Sequence, residues 1–252
     1  MNNFTPVISG VKPSILFSQS KVKGRKYLLK KALKNLFPGV SWQNPVLNFT
    51  FKVMDPIDYL FRFRSGLTGL PPYSIRVRSN GVTKQFGGEK FYQFGNRLAD
   101  HLKAYASLDG HSKVLEIGCG CGRTCYALSK ILDDANFIGM DIEKTSLEAC
   151  QNNPIFIGKD FRFDYQDIQN DEYNPDGTYE ADSYKFPYDS NEFDVIFLVS
   201  VFTHMLTDDV KNYISEISRM LKPGGVCMIT TFLMDHGRNT NGISFPHNEK
   251  DH

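Results

Sequence analysis

The carboxyl-terminal part of this 252-residue chain predicts an α/β fold, a mostly parallel sheet with helices on its faces. Three observations carry that expectation. Short apolar strands alternate regularly with helical segments from residue 112 onward. A glycine-rich turn joins the first of these strands to its helix, and an acid, Asp141, ends the next strand.

Each element follows from its pattern. Val114 to Ile117 reads as a short buried strand and Arg123 to Leu132 as the helix after it. Phe137 to Ile142 is the second strand, followed by a helix from Lys144 to Asn152 that Pro154 ends. A third strand is expected near Phe161 to Ile168, and a fourth, Phe193 to Val201, is almost continuous in Val, Ile, Leu and Phe. Val210, Tyr213, Ile214, Ile217, Met220 and Leu221 keep helical spacing, with Thr207 as the expected cap and Asp208 and Asp209 at the positive end of the helix dipole. Lys222-Pro-Gly-Gly225 stops that helix, and Val226 to Phe232 is the fifth strand. Upstream, Phe91, Phe94, Leu98, Leu102 and Tyr105 predict a helix over Glu89 to Ala106.

The first 85 residues read as a separate extension and lid, with residues 86–252 as the main domain. Residues 1–20 form an irregular arm. Leu29, Leu33, Leu36 and Phe37 then mark a basic amphipathic helix over residues 21–37, suited either to packing on the body or to peripheral contact with an anionic membrane. The aromatic tract holding Trp42, Phe49, Phe51, Tyr59, Phe61 and Phe63 has no assignable period. Residues 1–54 contain nine Lys or Arg and no Asp or Glu, so the remainder carries a net charge of −8. No apolar run is long enough for a bilayer span and no secretory signal opens the chain, while five cysteines are an odd number. A soluble, cytoplasmic protein without a disulfide framework is expected.

The chemistry concentrates in Val114-Leu-Glu-Ile-Gly-Cys-Gly-Cys-Gly-Arg-Thr124. A strand running into Gly118, Gly120 and Gly122 lets the backbone pass close beneath a ligand, and Asp141 is placed to accept hydrogen bonds from ribose hydroxyls. Glycines alone would also suit NAD. Glu116 argues otherwise, because it would repel a pyrophosphate but suit a positively charged amino group. Cys119, Cys121 and Cys125 belong to the glycine loop, and no second cysteine pair or Cys/His cluster supplies further metal ligands, so no metal is expected.

With Leu115-Glu-Ile-Gly-Cys-Gly-Cys-Gly-Arg123, the acid Asp141 after Phe-Ile-Gly-Met, the Phe193-Asp-Val-Ile strand and Leu221-Lys-Pro-Gly-Gly225, the sequence resembles the class I S-adenosylmethionine-dependent methyltransferases over residues 86–233. The resemblance implies a Rossmann-like sheet of order 3-2-1-4-5, a cytoplasmic enzyme, and S-adenosylmethionine as cofactor. The twenty residues after Phe232 are too few for the usual carboxyl-terminal hairpin, so the fifth strand is expected to be an edge: either the sequence is a truncated form of a longer protein, or something, such as a second copy, covers that edge. Glu116, Gly118, Cys119 (through its backbone), Gly120 and Arg123 would surround the methionine part of the cofactor. Asp141 would bind the ribose and Ile142 pack on the adenine. Asp167, followed by Ile168, would meet the adenine amino group, with Asp182 as a rival because an insert containing Tyr173 to Asp182 interrupts the usual spacing. Val199 would line the site from the fourth strand. Tyr173-Asn-Pro-Asp-Gly177, Phe186-Pro187 and Ser200 to Leu206 resemble a branch linked with small-molecule or saccharide modification. The expected acceptor is therefore an oxygen or nitrogen of such a molecule, with no nucleic acid as partner and a non-catalytic cofactor-binding or scaffold module as the alternative. His204 stands where the acceptor approaches, as general base, orienting group or structural histidine.

Overall fold

The computed structural model describes residues 45–80, 85–106, 108–132 and 136–230. The amino-terminal arm, the 21–37 helix and the tail after residue 230 lie outside them.

Five parallel strands form one sheet in the order β3-β2-β1-β4-β5: β1 (Val114–Ile117), β2 (Phe137–Asp141), β3 (Phe161–Tyr165), β4 (Phe193–Val199) and β5 (Leu221–Thr230). This is the expected order. The apolar alternation of each strand sends side chains to two cores. On one face Val114, Phe137, Phe163, Val195 and Phe197 pack with Leu102, Leu128 and Leu147 of the helices α3 (Glu89–Tyr105), α4 (Arg123–Leu128) and α5 (Lys144–Gln151). On the other, Leu115, Ile117, Ile138, Met140, Ile196 and Leu198 meet Phe186 and the Tyr213, Ile217 and Met220 face of α6 (Thr207–Met220). Gly95 lets α3 lie close on α4, since a Cβ there would stand 2.3 Å from the carbonyl oxygen of Arg123.

Several boundaries differ from the sequence reading. α4 ends at Leu128 and β3 at Tyr165, which places Asp167 and Ile168 beyond the strand. Thr207 is the first residue of α6 rather than its cap, and Asp209 closes the helix start by accepting from the main-chain N–H of Leu206 at 2.9 Å. β5 begins at Leu221 and bulges opposite Phe193 to Val195 of β4, which absorbs the Lys222-Pro-Gly-Gly225 turn.

The aromatic tract is a helix, α1 (Pro45–Arg64), followed by α2 (Tyr73–Asn80). α1 is amphipathic in reverse. It buries Asp58 and Arg62 and exposes Phe49, Val53, Ile57, Leu60 and Phe63. Asp58 is the centre of a buried network: Oδ2 accepts from Arg62 Nε at 2.7 Å, and Oδ1 accepts from Arg76 Nη2 at 2.6 Å and from the N–H of Gly87 at 2.8 Å. The two guanidinium groups are completed by main-chain oxygens, Arg62 donating to Thr68 and Leu70, and Arg76 to Pro71 and Gln85. One carboxylate thus joins α1, α2 and the start of α3. Asp58→Ala would strand two buried cations, so it is expected to lower unfolding free energy by about 3 to 5 kcal/mol. Chemical denaturation checks this, and a loss below ~1 kcal/mol would contradict the assigned role.

Candidate active site

In a parallel sheet of this order the chain leaves β1 and β4 in opposite directions, and the crevice between their carboxyl ends is the natural ligand site. Two loops border it. After β1, Gly118, Gly120 and Gly122 all adopt positive φ, of 76°, 54° and 83°. A side chain at Gly118 would be strained, and its Cβ would stand 2.6 Å from Val201 Cγ2 across the crevice. After β4, Ser200 also takes a left-handed conformation, φ 62°, held by its N–H donating to Thr230 Oγ1 at 2.9 Å. This turn leads into the short 3-10 helix Phe202–His204.

Asp141 ends β2 beside the glycine loop. Its Oδ2 accepts from the N–H of Gly120 at 2.5 Å and its Oδ1 from the N–H of Glu143 at 2.7 Å. Burial pushes its carboxyl up to about 7, and the nearby Cys119 adds to the rise against the two donated bonds. Glu143 caps α5, accepting from the N–H of Ser146 at 2.8 Å, and is held by Arg78 through Nη2–Oε1 and Nε–Oε2 bonds of 2.7 and 3.2 Å. Burial alone would raise the Glu143 carboxyl, but the Arg78 and Ser146 bonds outweigh it and leave it lowered. Neither Arg78 nor Glu143 was singled out by the sequence. Their separation of 65 residues carries no local signal.

The insert between β3 and β4 lies against the site. Tyr173 stands edge-on to the His204 ring at 5.4 Å, and Glu172 Oε2 is 3.4 Å from His204 Nδ1. Burial, with the charges of Glu172, Asp141 and Glu143, raises the Tyr173 phenol well above its usual range, so it is a neutral donor. Tyr173, Glu172 and Asn174 wall a cavity of about 210 Å³ together with Arg78, Ile142 to Thr145 and Tyr165. That is below the ~300 Å³ at the lower end of small-molecule pockets. A larger polar hollow of about 470 Å³, lined by Arg162, Lys185 to Asp189 and Glu192, opens beside the starts of β3 and β4, away from the loops that carry the chemistry.

Of the residues expected at the cofactor, Gly118, Gly120, Asp141 and Ile142 meet around the crevice. Others face elsewhere. Glu116 is buried beneath the glycine loop with Oε2 accepting from Cys125 Sγ at 3.3 Å; burial first, and Cys119 second, raise its carboxyl well above the usual range. The Cys119 side chain packs in the core, whereas its backbone, the part expected at the cofactor, runs between Gly118 and Gly120 with its N–H donating to the carbonyl oxygen of Met140 at 3.0 Å. Arg123 lies over the Phe94 ring at 4.2 Å. Ile168 is buried with Phe186 and Met140, and Val199 packs against the core on the opposite face of the sheet. Asp167 is taken up by the insert, accepting from Thr178 Oγ1 at 2.6 Å and Tyr165 Oη at 3.0 Å, and these bonds lower its carboxyl. Asp182 is exposed in the turn before Phe186.

A cradle of left-handed glycines beside a buried carboxylate fits an adenosine cofactor, since the glycines admit close approach and the carboxylate accepts from vicinal hydroxyls. Comparison with known proteins agrees. Residues 115–229 match the family described as "Methyltransferase domain". Relatives include the tRNA N(3)-cytidine methyltransferase METTL2 of Bos taurus, 29% identical over half of this chain and 30% of its own length. Phthiotriol/phenolphthiotriol dimycocerosates methyltransferase 1 of Mycobacterium ulcerans is 25% identical over 52% of the chain and 43% of its own, and sterol 24-C-methyltransferase erg6 of Aspergillus fumigatus 27% over 58% and 35%. The chain therefore spans less than half the length of these relatives. The tRNA enzymes among them overturn the expectation that nucleic acid has no place among the partners of such a domain. In its sheet order, its glycine loop and its match to the methyltransferase-domain family, the stretch 115–229 has the Rossmann-like fold of the class I S-adenosylmethionine-dependent methyltransferases.

Proposed function

We propose that the protein transfers a methyl group from S-adenosylmethionine to an oxygen or nitrogen acceptor at the carboxyl ends of β1, β2 and β4. The observation that supports this reading best is the Asp141 carboxylate, buried against the Gly120 N–H at the edge of the glycine cradle. Gly118 and Gly120 would let the methionine part pass over the backbone, Asp141 would accept from the ribose hydroxyls, and Ile142 would pack on the adenine. Bound there, the cofactor supplies a methyl group activated by its sulfonium. The protein's own contribution is largely to hold the acceptor in line and exclude water.

His204 serves the acceptor. Glu172 at Nδ1 orients the ring and favours the tautomer in which Nε2 is free to take a proton from an acceptor O–H or N–H. Tyr173 packs the ring from the side. Tyr173 and Glu172 of the insert crowd the His204 ring, which favours a compact acceptor, a small molecule or saccharide unit. A second reading, a base nitrogen of tRNA, is favoured by the METTL2 relatives. The odd number of cysteines supports a reducing, cytoplasmic setting.

Methyl release from labelled S-adenosylmethionine, assayed against saccharides, small hydroxylated and amino compounds and tRNA, tests the reading. Cofactor binding without turnover on any acceptor would favour a scaffold role instead. Asp141→Ala is expected to weaken S-adenosylhomocysteine binding by more than about tenfold, since charge-assisted bonds contribute ~1.5 to 3 kcal/mol. Unchanged calorimetric affinity in the folded variant would remove the ribose assignment. Because hydroxyls donate to the ionised carboxylate, binding should also weaken as pH falls through about 7, by at most about tenfold per unit. A profile flat from pH 8 to pH 5.5 would contradict this. His204→Gln is expected to lower kcat by about 10²-fold or more with cofactor affinity unchanged. Full kcat in that variant would leave the ring as packing.

A further inference from the structure

We infer that Arg78, from the amino-terminal helix α2, positions the Asp141 carboxylate by fixing Glu143, and so sets how strongly the site prefers a ligand with ribose hydroxyls. The inference rests on the reading of Asp141 as the ribose acceptor.

The linkage is continuous. Arg78 grips both oxygens of Glu143, at 2.7 and 3.2 Å, while its Nη1 donates to Asn48 Oδ1 of α1 at 2.9 Å. The Arg78 and Glu143 side chains are 10% and 11% exposed, so their charges are poorly screened by water and well matched by each other. Glu143 is held a third time by the Ser146 N–H, which pins its backbone at the start of α5. That backbone carries the N–H on Asp141 Oδ1. The second oxygen, Oδ2, is held by the Gly120 N–H from the other loop. The carboxylate is therefore aimed by two main-chain donors, and one is anchored by a side chain from an element outside the sheet.

Removing the guanidinium does two things. It leaves Glu143 as a buried anion two residues from Asp141, and it frees the Glu143 side chain from α2. Both loosen the Glu143 N–H on Asp141. Neither touches the glycine loop that would receive the methionine part. The effect should accordingly be confined to the ribose end of the ligand, which separates a positioning role from a general loss of fold.

The test is calorimetric titration of the full chain with S-adenosylhomocysteine and with its 2′,3′-dideoxy analogue, for the parent protein, Arg78→Gln, Arg78→Lys and Asp141→Asn. Arg78→Gln is expected to weaken S-adenosylhomocysteine by about tenfold, the scale of one charge-assisted bond, and to change the dideoxy analogue much less, so that the preference between them narrows. Arg78→Lys, which keeps the charge but not the fork, should restore part of that preference. An unchanged preference in Arg78→Gln, or an equal loss for both ligands, would overturn the positioning role. If Arg78→Gln does not fold, Arg78→Lys carries the same comparison, and a preference equal to the parent's overturns it. An unchanged preference in Asp141→Asn would overturn the ribose reading itself, so the two failures are distinguishable.

Discussion

The site depends on one buried carboxylate held between two main-chain donors. Asp141 accepts from Gly120 on one side and Glu143 on the other, and those residues belong to the loops after β1 and β2. Burial favours the neutral acid, and the two N–H groups oppose that by stabilising the charge. Gly120 can reach the carboxylate only because the loop turns through left-handed conformations, which its glycines adopt without steric cost. A buried carboxylate and a run of left-handed glycines beside it thus arise from a single local constraint.

A second buried carboxylate, Asp58, organises the helices before the sheet. It joins two arginines and the Gly87 N–H, and so fixes α2, which carries Arg78 toward Glu143. The cost of enclosing these charges is offset because the guanidinium donors find main-chain oxygens as well as the carboxylate. The amino-terminal helices are thereby coupled to the Asp141 side of the crevice by ionic bonds as well as by the packing of Leu67, Leu70 and Ile75 with Phe91, Cys121 and Tyr126. Phe49, Val53, Ile57, Leu60 and Phe63 of α1 point outward.

That inversion explains what was legible in the sequence and what was not. The strands and the helices of the sheet region bury apolar residues with periods of two and 3.6, so hydrophobic pattern located them to within a few residues, along with the glycine loop and Asp141. α1 buries Asp58 and Arg62 and carries Pro56 inside it, and a reading built on buried apolar faces had nothing to follow there. The roles of Arg78, Glu143 and Glu172 arise from contacts between distant segments, which no spacing encodes. Asp167 shows the opposite failure. Its position after β3 suited the adenine, but Thr178 and Asn174 of the insert, only 11 and 7 residues on, bond its carboxylate instead. The motif Tyr173-Asn-Pro-Asp-Gly177 was visible, whereas its placement against His204 required the fold.

The crevice between β1 and β4 suits an adenosine carrying a methionine-like tail rather than a pyrophosphate. Calorimetric titration of the full chain with S-adenosylhomocysteine and, separately, with NAD tests that claim most directly. Saturable one-to-one binding of S-adenosylhomocysteine with no heat from NAD is the predicted result. Binding of NAD, or no binding of S-adenosylhomocysteine by the folded protein, would contradict it.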